Sequence, residues 1–244
     1  MNAMSCSHCL AHGRRDFLRW GGAAVAALGS GLFVSAAQAV VMSKAKRDAM
    51  SPDEILALMK KGNQRFRQGR RDSRDFLAQQ RMTAKGQYPA AVLLTCIDSR
   101  APAETIMDLG IGDIFNSRIA GNVANEDILG SMEFACKVAG AKVVLVMGHT
   151  ACGAIKGAID NVELGNLTGL LAKIKPAVKA TDYSGARTAA NYEFVDAVAR
   201  TNVALTMVDI RSRSTLLREL ESDGAVKIAG AMYDLQSGAV DFFP

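Results

Sequence analysis

Histidine is scarce in this 244-residue chain. There are 3 histidines, 5 cysteines, 5 prolines and one tryptophan, and aromatic residues make up 6%. Eight imidazoles and thiols limit any metal or thiol chemistry, so their positions matter more than their number. What is present in quantity is ordinary. Apolar residues at 49% can build a sizeable core, and charged residues at 22% describe a soluble globular chain. That balance excludes wholesale disorder, a collagen-like fibre and a multi-span membrane protein. The length suits one large domain or two small ones.

Charge of one sign is also in short supply. Of the net +5, two units belong to the first 39 residues, where Arg14, Arg15 and Arg19 face only Asp16. The remaining +3 is modest. The densest basic stretch, Lys60 to Arg74, has no interleaved aromatic ladder and reads as a solvated helix face, so no nucleic-acid partner is expected.

Residues 1–39 read as a leader. Arg14-Arg15-Asp16-Phe17-Leu18 sets a twin-arginine pair before two large apolar residues. An uncharged, Ala- and Gly-rich stretch follows from Trp20 to Ala37 and ends in Ala37-Gln38-Ala39, a small-x-small cleavage signal. This resembles a bacterial Tat export signal, cleaved after Ala39. The resemblance implies passage through the Tat translocase, a periplasmic or secreted product and no permanent membrane span. Tat cargo crosses folded, which suits a protein loaded with metal beforehand. Cys6-Ser7-His8-Cys9 and His12 look like a metal cluster, but a short segment without a core would hold metal weakly.

Removing the leader leaves Cys96, Cys136, Cys152 and a single histidine, His149. Three cysteines do not make a disulfide framework. Residues 40–50 read as a short linker and 51–244 as one domain. Ser51-Pro52-Asp53-Glu54 is a helix start with a capping box, followed by apolar Ile55, Leu58, Met59 and Phe66 on one face. Apolar, β-branched runs at 90–94 and 142–147 suggest buried strands, with a further strand region over 113–120. Residues 125–138, 157–179 and 192–220 read as mostly helical. Residues 226–233 and 239–242 flank a turn at 234–238. Strands alternating with helices predict an α/β domain around a largely parallel sheet.

Cys96 ends the first strand run, His149 ends the second, and Cys152 follows three residues later. Ligands of open α/β sheets bind beyond the carboxyl ends of the strands. Two thiolates and an imidazole suit tetrahedral zinc, and three protein ligands leave a fourth position open, as in catalytic sites. Spacing alone does not separate this from a buried thiol pair beside a chance histidine. Cys96-Ile97-Asp98-Ser99-Arg100 adds a carboxylate and a guanidinium able to hold it bidentately. Asp98 then has two possible places. It can take the fourth zinc position, or it can be held by Arg100 and orient a water whose pKa zinc lowers from about 15.7 towards 7. Cys136, in Glu133-Phe134-Ala135-Cys136, reads as a small apolar filler on a helix.

Cys96-Ile97-Asp98-Ser99-Arg100 together with Gly148-His149-Thr150-Ala151-Cys152-Gly153 resembles the β-class carbonic anhydrases. The likeness extends to Gly62-Asn63-x-Arg65-Phe66, Gly86-Gln87-x-Pro89, Gly112-Asp113-x-Phe115, Arg118-x-Ala120-Gly121-Asn122, Gly230-Ala231-x-Tyr233-Asp234 and Ser237-Gly238. It spans roughly 51–243. The resemblance implies reversible hydration of carbon dioxide to bicarbonate and a proton, by attack of a zinc-bound hydroxide oriented by an Asp98–Arg100 dyad. It implies one zinc per subunit on Cys96, His149 and Cys152, with Asp98 a fourth ligand in a closed form, and bicarbonate held by Gln87 and the Gly153 N–H. It also implies an antiparallel edge strand and a homodimer or higher homo-oligomer, with the N-terminal helix packed on a partner.

Two departures stand out. Ile119 occupies a position where the family usually has Asn. The mature chain also has no tryptophan, whereas some members use one in a regulatory bicarbonate site. The first bears on the packing and polarity of the pocket; the second favours an open site, with Asp98 off the metal near neutral pH. The same scaffold could instead hydrolyse carbonyl sulfide or carbon disulfide, or sense bicarbonate with the site closed; intact Asp98, Arg100 and Gln87 argue against a pure binder. With His149 committed to zinc, no free histidine remains to carry protons. Turnover is therefore expected to depend on buffer or on carboxylates near the mouth.

Overall fold

The five residues Ala91–Thr95 are all buried, as a strand covered on both faces must be. They form β1, flanked on both sides in a five-stranded sheet. Its companions are β2 (Ile114–Arg118), β3 (Val143–His149), β4 (Lys227–Tyr233) and β5 (Val240–Phe243). The order is β2-β1-β3-β4-β5. β1 to β4 are parallel, with Val92 beside Val144 and Val144 beside Ile228, and β5 runs antiparallel to β4. The expected α/β class, parallel sheet and antiparallel edge strand are all present. This computed structural model describes residues 40–243. The leader, with Arg14, Arg15, Cys6, His8, Cys9, His12 and the Ala39 boundary, lies outside the described residues.

The helices are α1 (Lys44–Ala49), α2 (Pro52–Arg67), α3 (Phe76–Thr83), α4 (Ala103–Ile106), α5 (Glu126–Glu133), α6 (Gly153–Ile159), α7 (Gly165–Ala172), α8 (Lys175–Ala180), α9 (Tyr192–Arg213) and α10 (Thr215–Ser222). Among the described residues, no helix is long and apolar enough to cross a membrane. Alternate strand residues point to opposite faces, and this splits the core in two. Val92, Leu94, Val144 and Val146 share one cluster with Phe194, Val195 and Val198 of α9. Leu93, Val143, Leu145 and Met147 share the other with Ile55 and Met59 of α2 and with Met107.

The predicted capping box of α2 is formed. Ser51 Oγ accepts the Glu54 N–H at 3.2 Å, and Glu54 Oε2 accepts the Ser51 N–H at 2.7 Å. Ile55, Leu56 and Met59 are buried within the chain's own core, and half-buried Leu58 and Phe66 pack against the same cluster. The Gly62-Asn63 pair is a packing device. A Cβ on Gly62 would lie 1.9 Å from the Met107 carbonyl oxygen. Buried Asn63 donates to the Ile106 and Gly238 carbonyls at 3.0 and 2.9 Å and accepts the Val240 N–H at 3.0 Å. It thereby ties α2 to α4 and to the closing hairpin.

Several details depart from the sequence reading. The stretch read as linker carries α1, whose buried Arg47 donates to the Ala139 carbonyl. The helix expected over 125–138 relaxes into a π-helical turn at Phe134–Val138. The helix expected over 192–220 breaks at Ser214, which caps α10 through the Leu217 N–H at 3.2 Å and donates its hydroxyl to Glu133 at 2.6 Å. Serine offers the backbone an alternative to helix continuation. The basic stretch 60–74 is only partly a solvated face. Arg65 reaches fully buried Asp108 at 2.5 Å, and Arg74 bonds the same carboxylate.

Candidate metal centre

All four parallel strands end at one rim of the sheet, and the site is built there. Cys96 is the residue after β1. His149 is the last residue of β3. Cys152 caps α6 after a two-residue turn. The three are buried, at 4%, 2% and 1% exposure, and their ligand atoms lie within 4.8 Å of one another. Cys96 Sγ stands 3.9 Å from Cys152 Sγ. Two sulfurs at about 2.3 Å from one tetrahedral zinc stand about 3.8 Å apart.

His149 is oriented for the same purpose. Its Nδ1 lies 2.9 Å from the Thr150 carbonyl oxygen, so Nδ1–H donates and the lone pair is left on Nε2. Nε2 is buried without a hydrogen-bond partner. A buried polar atom without a partner is costly, and a cation among the three ligand atoms satisfies it. The donor set fits zinc.

The surrounding loops are held by backbone groups. The Gly121 N–H points at Cys96 Sγ, 3.4 Å away. Gly121 has φ +67°, and a Cβ there would meet Ile174 Cδ1 at 2.5 Å, so only glycine fits. Arg118 binds the carbonyls of Cys96 and Asp98 at 3.0 and 2.5 Å. The Ala151 N–H donates to Asp196 Oδ1 at 2.7 Å. Half-buried Asp98 is held by Arg100: Nε to Oδ1 at 2.9 Å, Nη2 to Oδ2 at 2.7 Å, and the Arg100 backbone N–H to Oδ1 at 2.9 Å. Asp98 Oδ2 is 3.8 Å from His149 Nε2.

These contacts set the local acidities. Arg100 holds the Asp98 carboxyl well below the usual carboxylate range. The Cys152 thiol, helped by His149 and the Gly121 N–H, lowers Cys96 below an ordinary thiol against the effect of burial. Burial works against protonation of His149, but Cys96 outweighs it and leaves the imidazole raised. Burial raises the Asp196 carboxyl, with the Asp234 carboxylate adding to the shift.

Comparison with known proteins places the chain in a family. The carbonic anhydrase family model matches residues 91–240. Carbonic anhydrase 2 of Mycobacterium tuberculosis is 33% identical over 186 residues, covering 74% of this chain and 87% of the relative. The chain belongs to the β-class carbonic anhydrase family. A β-carbonic anhydrase of Aspergillus fumigatus superposes with a TM-score of 0.60 at 25% identity, over 78% of this chain and 89% of that one. A tetrameric β-carbonic anhydrase of Sordaria macrospora gives 0.57 at 25% identity, over 66% and 83%. Members of the family are zinc lyases, and Cys96, His149 and Cys152 form the group able to hold that ion here.

Not every predicted residue converges. Gly153 opens α6 beside Cys152, and nothing lies within 4 Å of where its Cβ would be. Exposed Gln87 precedes β1, whereas Cys96 follows it. The strand separates them, so one chain does not bring Gln87 to its own metal group. Ile119 packs against the core cluster behind the site. Cys136 is buried on the π-helical turn, its thiol pushed up to about 12 by burial. Sequence reasoning assigned no role to Thr150, Asp196 or Asn202. Asp196 lies far along the chain in α9, and only an acidic residue on a mostly buried helix could have hinted at it.

Proposed function

We propose that this chain catalyses the reversible hydration of carbon dioxide to bicarbonate and a proton, with one zinc per subunit held by Cys96, His149 and Cys152. The observation that carries the reading is His149 Nε2, buried without a partner beside two thiols 3.9 Å apart. Bound there, zinc supplies Lewis acidity that makes water nucleophilic near neutral pH. Asp98 and Arg100 form the dyad. Because Arg100 keeps Asp98 ionised, its oxygens only accept hydrogen bonds, and they orient the attacking water with a lone pair towards the carbon. With both oxygens on Arg100, Asp98 stays off the metal at rest; joining it as a fourth ligand would require breaking that grip.

The Gly153 N–H is one of the first-turn amides that a helix leaves unbonded, and it receives an oxygen of the bicarbonate product. Gln87 serves the same anion only if a second subunit presents it. A homo-oligomer, at least a dimer, is therefore part of this reading, supported by the tetrameric relative. The proton leaves through buffer or surface carboxylates, since His149 is the only histidine after residue 39. Residues 1–39 act as a Tat leader cleaved after Ala39, so the enzyme, residues 40–244, works in the periplasm or outside the cell.

Stopped-flow hydration at pH 8.5 tests the reaction. Zinc-loaded protein is expected to turn over carbon dioxide, Cys96→Ser to lose zinc and activity together, and Asp98→Asn to keep zinc and lose rate. Zinc-loaded protein that hydrolyses carbonyl sulfide but leaves carbon dioxide alone would refute the substrate assignment.

A further inference from the structure

Helix α9 braces both halves of the ligand cluster from behind. Buried Asn202 donates to the Gly121 carbonyl at 2.8 Å, and the N–H of that same Gly121 faces Cys96 Sγ. Six residues earlier, Asp196 takes the Ala151 N–H at 2.7 Å. Ala151 lies in the turn that joins His149 to Cys152, and its φ is +55°. An L-residue with a Cβ disfavours that conformation, which persists only where the surroundings impose it. The end of β4 supplies two restraints: the Thr150 N–H donates to the Tyr233 carbonyl at 3.0 Å, and the Leu235 N–H donates to Thr150 Oγ1 at 3.0 Å. Both act on Thr150. Asp196 is the group bonded to Ala151 itself, and a carboxylate acceptor at 2.7 Å makes a strong, charge-assisted bond.

We propose that Asp196 is a positioning residue for the metal centre: its carboxylate locks the Ala151 peptide in the left-handed conformation and so sets the separation and direction in which His149 and Cys152 present Nε2 and Sγ. This rests on the reading of Cys96, His149 and Cys152 as zinc ligands. Groups that orient metal ligands from behind typically change metal affinity about 10–100-fold when removed.

The test measures zinc affinity of the purified protein by chelator competition, together with the visible spectrum of its cobalt(II)-substituted form, which reports ligand geometry independently of turnover. Asp196→Ala is expected to weaken zinc at least tenfold and to shift the cobalt bands. Asp196→Asn keeps an oxygen acceptor and should stay within a few-fold of the parent, with its spectrum. Ala151→Gly in the Asp196→Ala background should recover part of the loss, because glycine adopts positive φ freely. If Asp196→Ala does not fold, Asp196→Leu fills a similar half-buried volume and carries the same expectation. An acceptor-less variant with parental affinity and spectrum, or an Asp196→Asn as weak as Asp196→Ala, overturns the proposal. Failure of the parent protein to bind zinc would instead overturn the metal-site reading beneath it.

Discussion

Arg100 grips Asp98 with two parallel guanidinium bonds, 2.9 and 2.7 Å long, and adds its own backbone N–H to the same carboxylate. The carboxylate is thus fixed at the edge of the ligand cluster, 3.8 Å from His149 Nε2. Arg100 sets its charge, with Arg118 holding the Asp98 carbonyl, and its role can be separated from metal binding. Asp98→Asn is expected to retain a full zinc complement while kcat/KM falls by about 10²–10⁴, the range for a positioned proton-handling group. Metal analysis and stopped-flow rates on the same sample check this; an unchanged rate would remove Asp98 from the mechanism.

Asp108 gives a pH-dependent signature. Burial alone would raise its carboxyl, but Arg65, the Asp72 N–H and Arg74 prevail and leave it lowered. A group whose folded value lies below its unfolded value of about 4 contributes fully above that pH. The contribution is lost as pH falls through the folded value. Asp108→Asn should therefore cost about 1.5–3 kcal/mol at pH 7, because partly exposed arginines lose charge-assisted bonds to a fully buried acceptor. It should also flatten the fall in melting temperature below pH 4. Parallel slopes for parent and variant would contradict the assignment.

Gly62 reverses a general rule. In an exposed helix interior Gly→Ala stabilises by about 1 kcal/mol. Here the new Cβ would lie 1.9 Å from the Met107 carbonyl oxygen, so Gly62→Ala should destabilise by about 2–3 kcal/mol through forced displacement of α2 from α4. Denaturant melts read the sign directly.

Cys136 should be inert. It is buried and its thiol is pushed up to about 12, so native protein at pH 8 should resist iodoacetamide there, while denatured protein reacts. Peptide mapping that finds Cys136 alkylated in folded protein would contradict this.

The features legible in the sequence were those carried by local pattern. Ser51 and Glu54 announce the start of α2, and the apolar runs locate β1 and β3. Cys96, His149 and Cys152 lie at or just beyond strand ends, where the rim of a parallel sheet places a site. What escaped depends on partners distant in sequence. Asp196 and Asn202 look like ordinary polar residues of a long helix until α9 is laid behind the loops at Ala151 and Gly121. Ser214 breaks a helix whose periodicity continues on both sides. Gln87 sits in a matching motif, yet the strand between it and Cys96 keeps it from its own site. The 60–74 stretch looked solvated because nothing local shows that Arg65 and Arg74 meet a buried aspartate.

The proposed function makes turnover depend on zinc held by Cys96, His149 and Cys152. Titrating metal-free protein with zinc while measuring carbon dioxide hydration by stopped flow separates that dependence from folding alone. The rate should climb in proportion to added zinc and level off at one ion per chain, and Cys152→Ser should neither hold the ion tightly nor gain the rate. A chain that takes up one zinc at these residues and still leaves hydration at the buffer rate would contradict the claim.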